Sequence, residues 1–215
     1  MRRAKRTGSK RRQRRDGGEL RAAILEAASE IFLEEGYPGA SIEAVIEKVG
    51  GSKRAIYSHF GSKKELFSAL VTEASSKVLG ALSPKDVEGK DLRETLRIFG
   101  LQVSRVLMTP TALALYRAVI AEGARQPDVA QAFFERGPGR VSKSLADMLD
   151  RFQARGAISI GNSQRAAERF LGMLRDDVHL QVVLGLRAPL DGAEMDRSVD
   201  QAVEIFLHGV AASKS

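Results

Sequence analysis

The chain has no cysteine and no tryptophan, and only three histidines among its 215 residues. Without cysteine there is no disulfide framework, no thiolate metal site and no sulfur nucleophile. His59, His179 and His208 are the whole supply of imidazole. Asp176 and His179 stand at i and i+3 and could share a helix face, but no third or fourth metal ligand accompanies them. Gly-x-Gly-x-x-Gly, Gly-x-Ser-x-Gly and His-Glu-x-x-His are all missing, which argues against an enzyme. No catalytic residue, metal or cofactor is assigned. Nowhere do about twenty apolar residues run uninterrupted, so no transmembrane helix is expected. The basic N-terminus lacks the apolar segment of a secretory signal, and the chain reads as cytoplasmic with no membrane partner.

Acidic residues are absent from the first fifteen positions, where nine basic ones stand: Arg2, Arg3, Lys5, Arg6, Lys10, Arg11, Arg12, Arg14 and Arg15. The chain carries 34 Lys+Arg against 27 Asp+Glu, net +7; removing those nine leaves 25 against 27, a net of −2. The basic character therefore belongs to the tail. Residues 1–18, with Gly8, Ser9, Gly17 and Gly18 and almost nothing apolar, are expected to form a disordered arm. Arg11, Arg12, Arg14 and Arg15 would lie along DNA phosphates or in a minor groove, gaining affinity by counterion release. A solubility tail is the alternative.

From Ser41 to Lys64 the sequence reads Ser-Ile-Glu-Ala-Val-Ile-Glu-Lys-Val-Gly-Gly-Ser-Lys-Arg-Ala-Ile-Tyr-Ser-His-Phe-Gly-Ser-Lys-Lys. Ile42, Val45, Ile46 and Val49 give one apolar stripe at helical spacing. After Gly50-Gly51-Ser52 a second helical pattern begins with Lys53 and Arg54, in which only Ile56 and Phe60 are large and apolar. A helix that buries so little of itself has another use for its remaining faces. Two short helices around a glycine turn form a helix-turn-helix, whose second helix can enter a major groove. Cations in its first turn oppose the helix dipole and favour an anionic or base-edge partner. Ser41 and Ser52 are placed as N-caps, and Ser62-Lys63-Lys64-Glu65 fits a capping box opening a further helix. Upstream, Leu20, Ala23, Ile24, Ala27, Ala28, Ile31 and Phe32 form a stripe that Gly36-Tyr37-Pro38-Gly39 terminates. A helical DNA-binding domain over residues 19–80 follows.

This segment resembles the TetR-type (TetR/AcrR) transcriptional regulators. The matches in register are Phe32 to Tyr37, Ser41-Ile42, Gly50, Ser52-Lys53, Ile56-Tyr57, His59-Phe60, Ser62-Lys63 and Glu65-Leu66-Phe67. Ile46, Val49 and Gly51 depart from the usual small residues. The resemblance implies phosphate contacts from Ser41, Tyr57, His59 and Lys63, and base contacts from Lys53, Arg54, Ala55 and Ser58. Taken without the register, Tyr57 is equally a core aromatic with its hydroxyl in solvent and His59 a surface residue. Thr111 to Glu122, followed by Pro127, resembles one C-terminal subtype of the same regulators.

Gly80 to Gly89 reads as a short connection, and beyond it the pattern is helical throughout. Helices are expected at about 91–108, 111–125, 128–135, 139–155, 163–185 and 194–212, making an all-α chain whose residues 85–215 form an effector-binding and dimerisation domain. Phe170, Leu171, Met173, Leu174, Val178, Val182 and Val183, with Val199, Ala202, Val203, Phe206 and Val210, would join two chains in a four-helix bundle. An intramolecular core is the alternative. A homodimer would read two half-sites of an imperfectly palindromic operator. Phe99, Val103, Leu107, Tyr116, Ile120, Phe134, Met148, Phe152 and Met173 are candidates to line an apolar cavity, with Asp177 beside it. The same residues could equally fill a core. Arg117, Glu122, Asp176 and His179 are further polar candidates to orient a ligand, or else ordinary ion-pair partners. The resemblance implies a regulator released from its operator by a small apolar molecule. The competing reading is a basic-armed protein that coats duplex DNA without sequence preference.

Overall fold

The computed structural model describes residues 7–50, 53–80 and 90–210, with side chains for 18–50, 57–80 and 90–208. Every regular element among them is a helix: α1 Thr7–Gly39, α2 Ile42–Val49, α3 Lys53–Phe60, α4 Lys63–Gly80, α5 Leu92–Leu107, α6 Pro110–Glu122, α7 Pro127–Arg136, α8 Pro138–Ala154, α9 Ser163–Met173, α10 Asp177–Val183 and α11 Gly192–Val210. No single described helix is long and apolar enough to cross a bilayer.

The ends are set by local chemistry. Asp91, Thr109, Asn162 and Asp176 each accept a hydrogen bond from a backbone N–H in the first turn of the helix they precede. Each satisfies a donor that the helix itself cannot pair. Proline opens α6, α7 and α8, where the N–H it lacks would have had no partner. In α1 the helical backbone stops at Gly36, whose φ of 67° and ψ of 178° turn the chain into Tyr37-Pro38.

Two apolar cores result. One gathers Ile24, Ala28, Ile31 and Phe32 of α1, Ile42 and Val45 of α2, Phe60, and Leu66, Phe67, Leu70 and Val71 of α4. It also takes in Leu115 and Ala118 of α6 and Val129 of α7, so the DNA-binding half is closed by helices from the C-terminal half. The other joins α5, α8, α9, α10 and α11 around Leu96, Phe99, Leu145, Leu149, Phe170 and Val199, and reaches Val78 at the far end of α4. Helix α4 thus belongs to both. Ser29 Oγ and Thr111 Oγ1 meet at 2.5 Å, tying α1 to α6.

The structure departs from the sequence expectations in three places. First, α1 extends back to Thr7, so residues 7–18 are helical where an unfolded arm was expected. Arginine, lysine and glutamine are good helix formers, and a helix already anchored by its apolar stripe extends without a new nucleus. Residues 1–6 lie outside the described residues. Second, the helix expected over 163–185 is two, because the Asp176 carboxylate caps a new helix by accepting from the N–H groups of Val178 and His179. Asp176 is therefore a cap, and His179, 3% exposed, packs edge-on against Tyr116; among the described residues no cluster of metal-ligating side chains forms. Third, Phe170, Leu171, Leu174, Val182, Val183, Val199, Ala202, Val203 and Phe206, assigned to a chain-to-chain bundle, are buried within one chain. Among the described residues, the large apolar side chains exposed in this region are Leu180, Leu184, Leu186 and Ile205.

Candidate nucleic-acid interface and effector cavity

The turn between α2 and α3 depends on Gly50, which adopts φ 73° and ψ 64° and donates its N–H to Ile46 O at 2.9 Å. A left-handed residue here closes α2 and redirects the chain toward α3 within a few residues. Ser41 caps the other end, its Oγ accepting from Ala44 N–H at 3.0 Å. Ile42 and Val45 face the core, while Ile46 and Val49 are only half-buried, so the stripe read from sequence is narrower in the fold. Phe60 is the buried anchor of α3, with the Arg21 guanidinium 5.5 Å from its ring centre. Tyr57, 40% exposed, and Ser58 and His59 stand on the outer surface of α3. The backbone of Lys53, Arg54 and Ala55 forms the first turn of that helix; their side chains, and Ser52, lie outside the described residues.

Lys63 is more than a free cation. Its Nζ donates to Pro38 O at 3.1 Å and lies 4.6 Å from the centre of the Tyr37 ring. Burial lowers its pKa below the usual lysine value, although the carboxylates of Glu122 and Glu35 pull the other way. The start of α4 is thereby pinned to the end of α1. One residue on, Lys64 Nζ meets Asp128 Oδ2 of α7 at 2.9 Å. Arg11, Arg12, Arg14 and Arg15 fall on the N-terminal extension of α1, and their side chains lie outside the described residues.

A cavity of about 90 Å³ opens between α4, α5, α6 and the junction of α7 with α8. Val71, Ala74, Ser75 and Val78 of α4 form one wall, opposite Val103, Val106 and Leu107 of α5, with Tyr116 and Phe133 beside them. Of the ten ligand candidates read from the sequence, Val103, Leu107 and Tyr116 line this cavity and the other seven do not. Phe99, Met148 and Phe152 are packed in the core, and Met173 rests against it, because at their level α5 packs against α11 and α8 against α9. Ile120 and Phe134 are each 62% exposed, on the outer faces of α6 and α7, and Asp177 is exposed in the first turn of α10. Of the polar candidates, Arg117 donates to Val182 O and Val183 O, closing α10, and Glu122 pairs with Arg125.

The wall that sequence reasoning missed is α4. Its residues were assigned to the DNA-binding domain alone, although an 18-residue helix is longer than that small core requires. Phe133, which the sequence offers beside Phe134 as a cavity candidate, lines the cavity, and Phe134 does not. Phe133 lies 6.4 Å from Phe67 and 6.0 Å from Tyr116, centre to centre, and Tyr116 lies 5.3 Å from His179. Phe67 in turn meets Tyr37 edge-on at 5.3 Å. One chain of rings thus runs from the end of α1, past the cavity, to α10.

Known proteins match the chain along nearly its whole length. Residues 24–70 match the family of bacterial regulatory proteins described as the tetR family, and residues 94–209 match the C-terminal domain of AefR-like transcriptional repressors. The transcriptional regulator UidR of Escherichia coli is 27% identical over 195 residues, covering 88% of this chain and 92% of that protein. A TetR-family regulator from Mesorhizobium loti superposes with a TM-score of 0.76 at 28% identity, over 91% of this chain and 98% of that one. The flavonoid-responsive regulator FrrA does so with a TM-score of 0.70 at 27% identity, over 90% and 98%. A helix-turn-helix whose outer face is polar, carried on a larger helical body that these regulators share, leaves one assignment: the chain belongs to the TetR family of transcriptional regulators.

Proposed function

We propose that the chain is a homodimeric, cytoplasmic repressor that binds an imperfectly palindromic operator through α3 of each protomer and leaves it when a small apolar molecule enters the cavity. The observation that carries this reading is that α4 is at once the cavity wall and the helix that follows α3. Val71 and Val78 face the ligand space, while Leu66 and Phe67, one to three turns earlier, hold the core on which α3 rests. A ligand that needs more room than the cavity offers favours a state with α4 displaced, and that displacement is delivered to α3 through Phe60 and Phe67. The name of FrrA, which ties that regulator to flavonoids, supports small ring compounds as effectors. The AefR-like repressor match over residues 94–209 supports repression.

Ser41, Tyr57, His59 and Lys63 contact phosphates in this reading, and Lys53, Arg54, Ala55 and Ser58, behind the Ser52 cap, approach base edges. Leu180, Leu184, Leu186 and Ile205 supply the apolar surface on which two chains join, replacing the buried stripe. Selection of random duplexes with the purified protein tests the whole. A palindrome should emerge that binds at least ~10³-fold tighter than random duplex at fixed salt, whereas a coating protein would show almost no gap. Comparing residues 16–215 with the full chain tests the basic residues before Asp16, since loss of phosphate contacts flattens the dependence of affinity on salt. Light scattering that finds a monomer at micromolar concentration overturns the dimer.

A further inference from the structure

The cavity is lined almost wholly by carbon, and a single charged residue stands among its lining residues. Arg175 lies in the break between α9 and α10 and forms part of the lining. Its Nε donates to Leu171 O at 3.2 Å, which fixes the plane of the guanidinium. Among the described residues no carboxylate lies within ion-pairing distance of it, and its terminal N–H groups have no acceptor. The adjacent carboxylate of Asp176 is directed elsewhere, capping α10 through Val178 and His179. The ring of Tyr116, packed edge-on against Phe133 and His179, lines the cavity as well.

A neutral apolar guest would take water from the guanidinium and return nothing. A guest with an ionised acid group returns charge-assisted hydrogen bonds, which are about twice as strong as neutral ones and suit the planar fork of arginine. We propose that the effector is a small aromatic or aliphatic acid whose carboxylate binds Arg175 while its carbon skeleton fills the space between α4 and α5. The inference rests on the effector reading above and names the chemical class it takes. At about 90 Å³ the cavity is smaller than the roughly 150 Å³ that admits benzene, so a ring acid enters only as the walls part. Burial and then the positive charge of Arg175 lower the pKa of the nearby His179, against the opposing pull of the Asp176 carboxylate.

Phenylacetate and 2-phenylethanol are nearly equal in shape and differ in charge, so their relative affinity for the full-length protein reads the proposal directly. The acid should bind roughly tenfold or more tightly than the alcohol at neutral pH. Arg175→Met, which keeps the length of the stem, should bring the ratio close to one without loss of helical circular dichroism, and Arg175→Lys should restore part of it. A ratio near one in the wild-type chain, or one that survives in Arg175→Met, overturns the acid assignment. Val103→Trp, which fills the cavity, separates this from the effector reading itself. If both probes bind the wild-type chain equally and both are lost in Val103→Trp, the cavity stands as the site and only the acid is wrong. If neither probe binds, or binding persists in Val103→Trp, both readings fall.

Discussion

Gly50 offers the sharpest single test of how the DNA-binding half is built. Its φ of +73° is left-handed, and a Cβ added there meets no heavy atom within 4 Å. The cost of Gly50→Ala is therefore purely one of backbone conformation, about 1–2 kcal/mol for an L-residue held in this region. Asparagine visits that region more readily and should cost less, while a β-branched valine should cost more. For a domain of this size each kcal/mol corresponds to roughly 2–4 °C in melting temperature, so Gly50→Ala should melt about 2–8 °C lower. Strain that instead relaxes by tilting α3 would appear as weaker DNA binding, at about tenfold per 1.4 kcal/mol. Differential scanning calorimetry and fluorescence anisotropy on the selected operator together capture both outlets. Gly172 is the internal control: it sits in α9, exposed, with no left-handed φ and an added Cβ equally free, so Gly172→Ala should stabilise by roughly 0.5–1 kcal/mol. Two opposite signs from the same chemical change follow from one angle. If Gly50→Ala neither destabilises nor weakens binding, the left-handed turn is not what holds α2 and α3 together, and the argument fails.

Arg54→Ala should relax sequence preference at a cost of roughly 1–3 kcal/mol, while Lys63→Ala should weaken all duplexes alike; indistinguishable behaviour in a competition assay would refute that division of roles. Phe133→Ala removes two ring contacts, at 6.4 Å and 6.0 Å, each worth about 0.5–1.5 kcal/mol beyond burial, and should lower the melting temperature measurably. An unchanged melting temperature would mean that the aromatic chain beside the cavity is not packed. For His179 the sign follows from its lowered pKa: between that value and the ordinary 6.5 the unfolded chain binds more protons, so stability holds above pH 6.5 and declines as pH falls through it. His179→Phe should flatten that decline in a melting-temperature series across pH 5–8, and an unaltered slope would assign the titration elsewhere.

The DNA-binding half was largely legible in the sequence because its signals are local. A cap such as Ser41 bonds three residues away, a glycine turn needs only its own φ, and the stripe of α1 is a matter of spacing. The effector half depends on which face of each helix meets which neighbour, and composition cannot decide that. Phe99 and Val103 stand one helical turn apart on α5, yet the first is sealed in the core and the second opens on the cavity. Phe133 and Phe134 are adjacent, yet only the first lines it, since neighbours on a helix point about 100° apart. Asp176 reads as one more residue of a long helix until its carboxylate is seen to accept from the backbone two and three residues on.

The boundary that the sequence suggests near residue 80 is not one of packing. Leu115, Ala118 and Val129 complete the core of the DNA-binding half, and Val78 belongs to the core of the other. A cavity placed on that shared ground has as one wall α4, a helix on which α3 depends. Under the proposed function no separate relay is required: side chains such as Val71, which line the cavity and belong to the DNA-binding core, would provide the coupling.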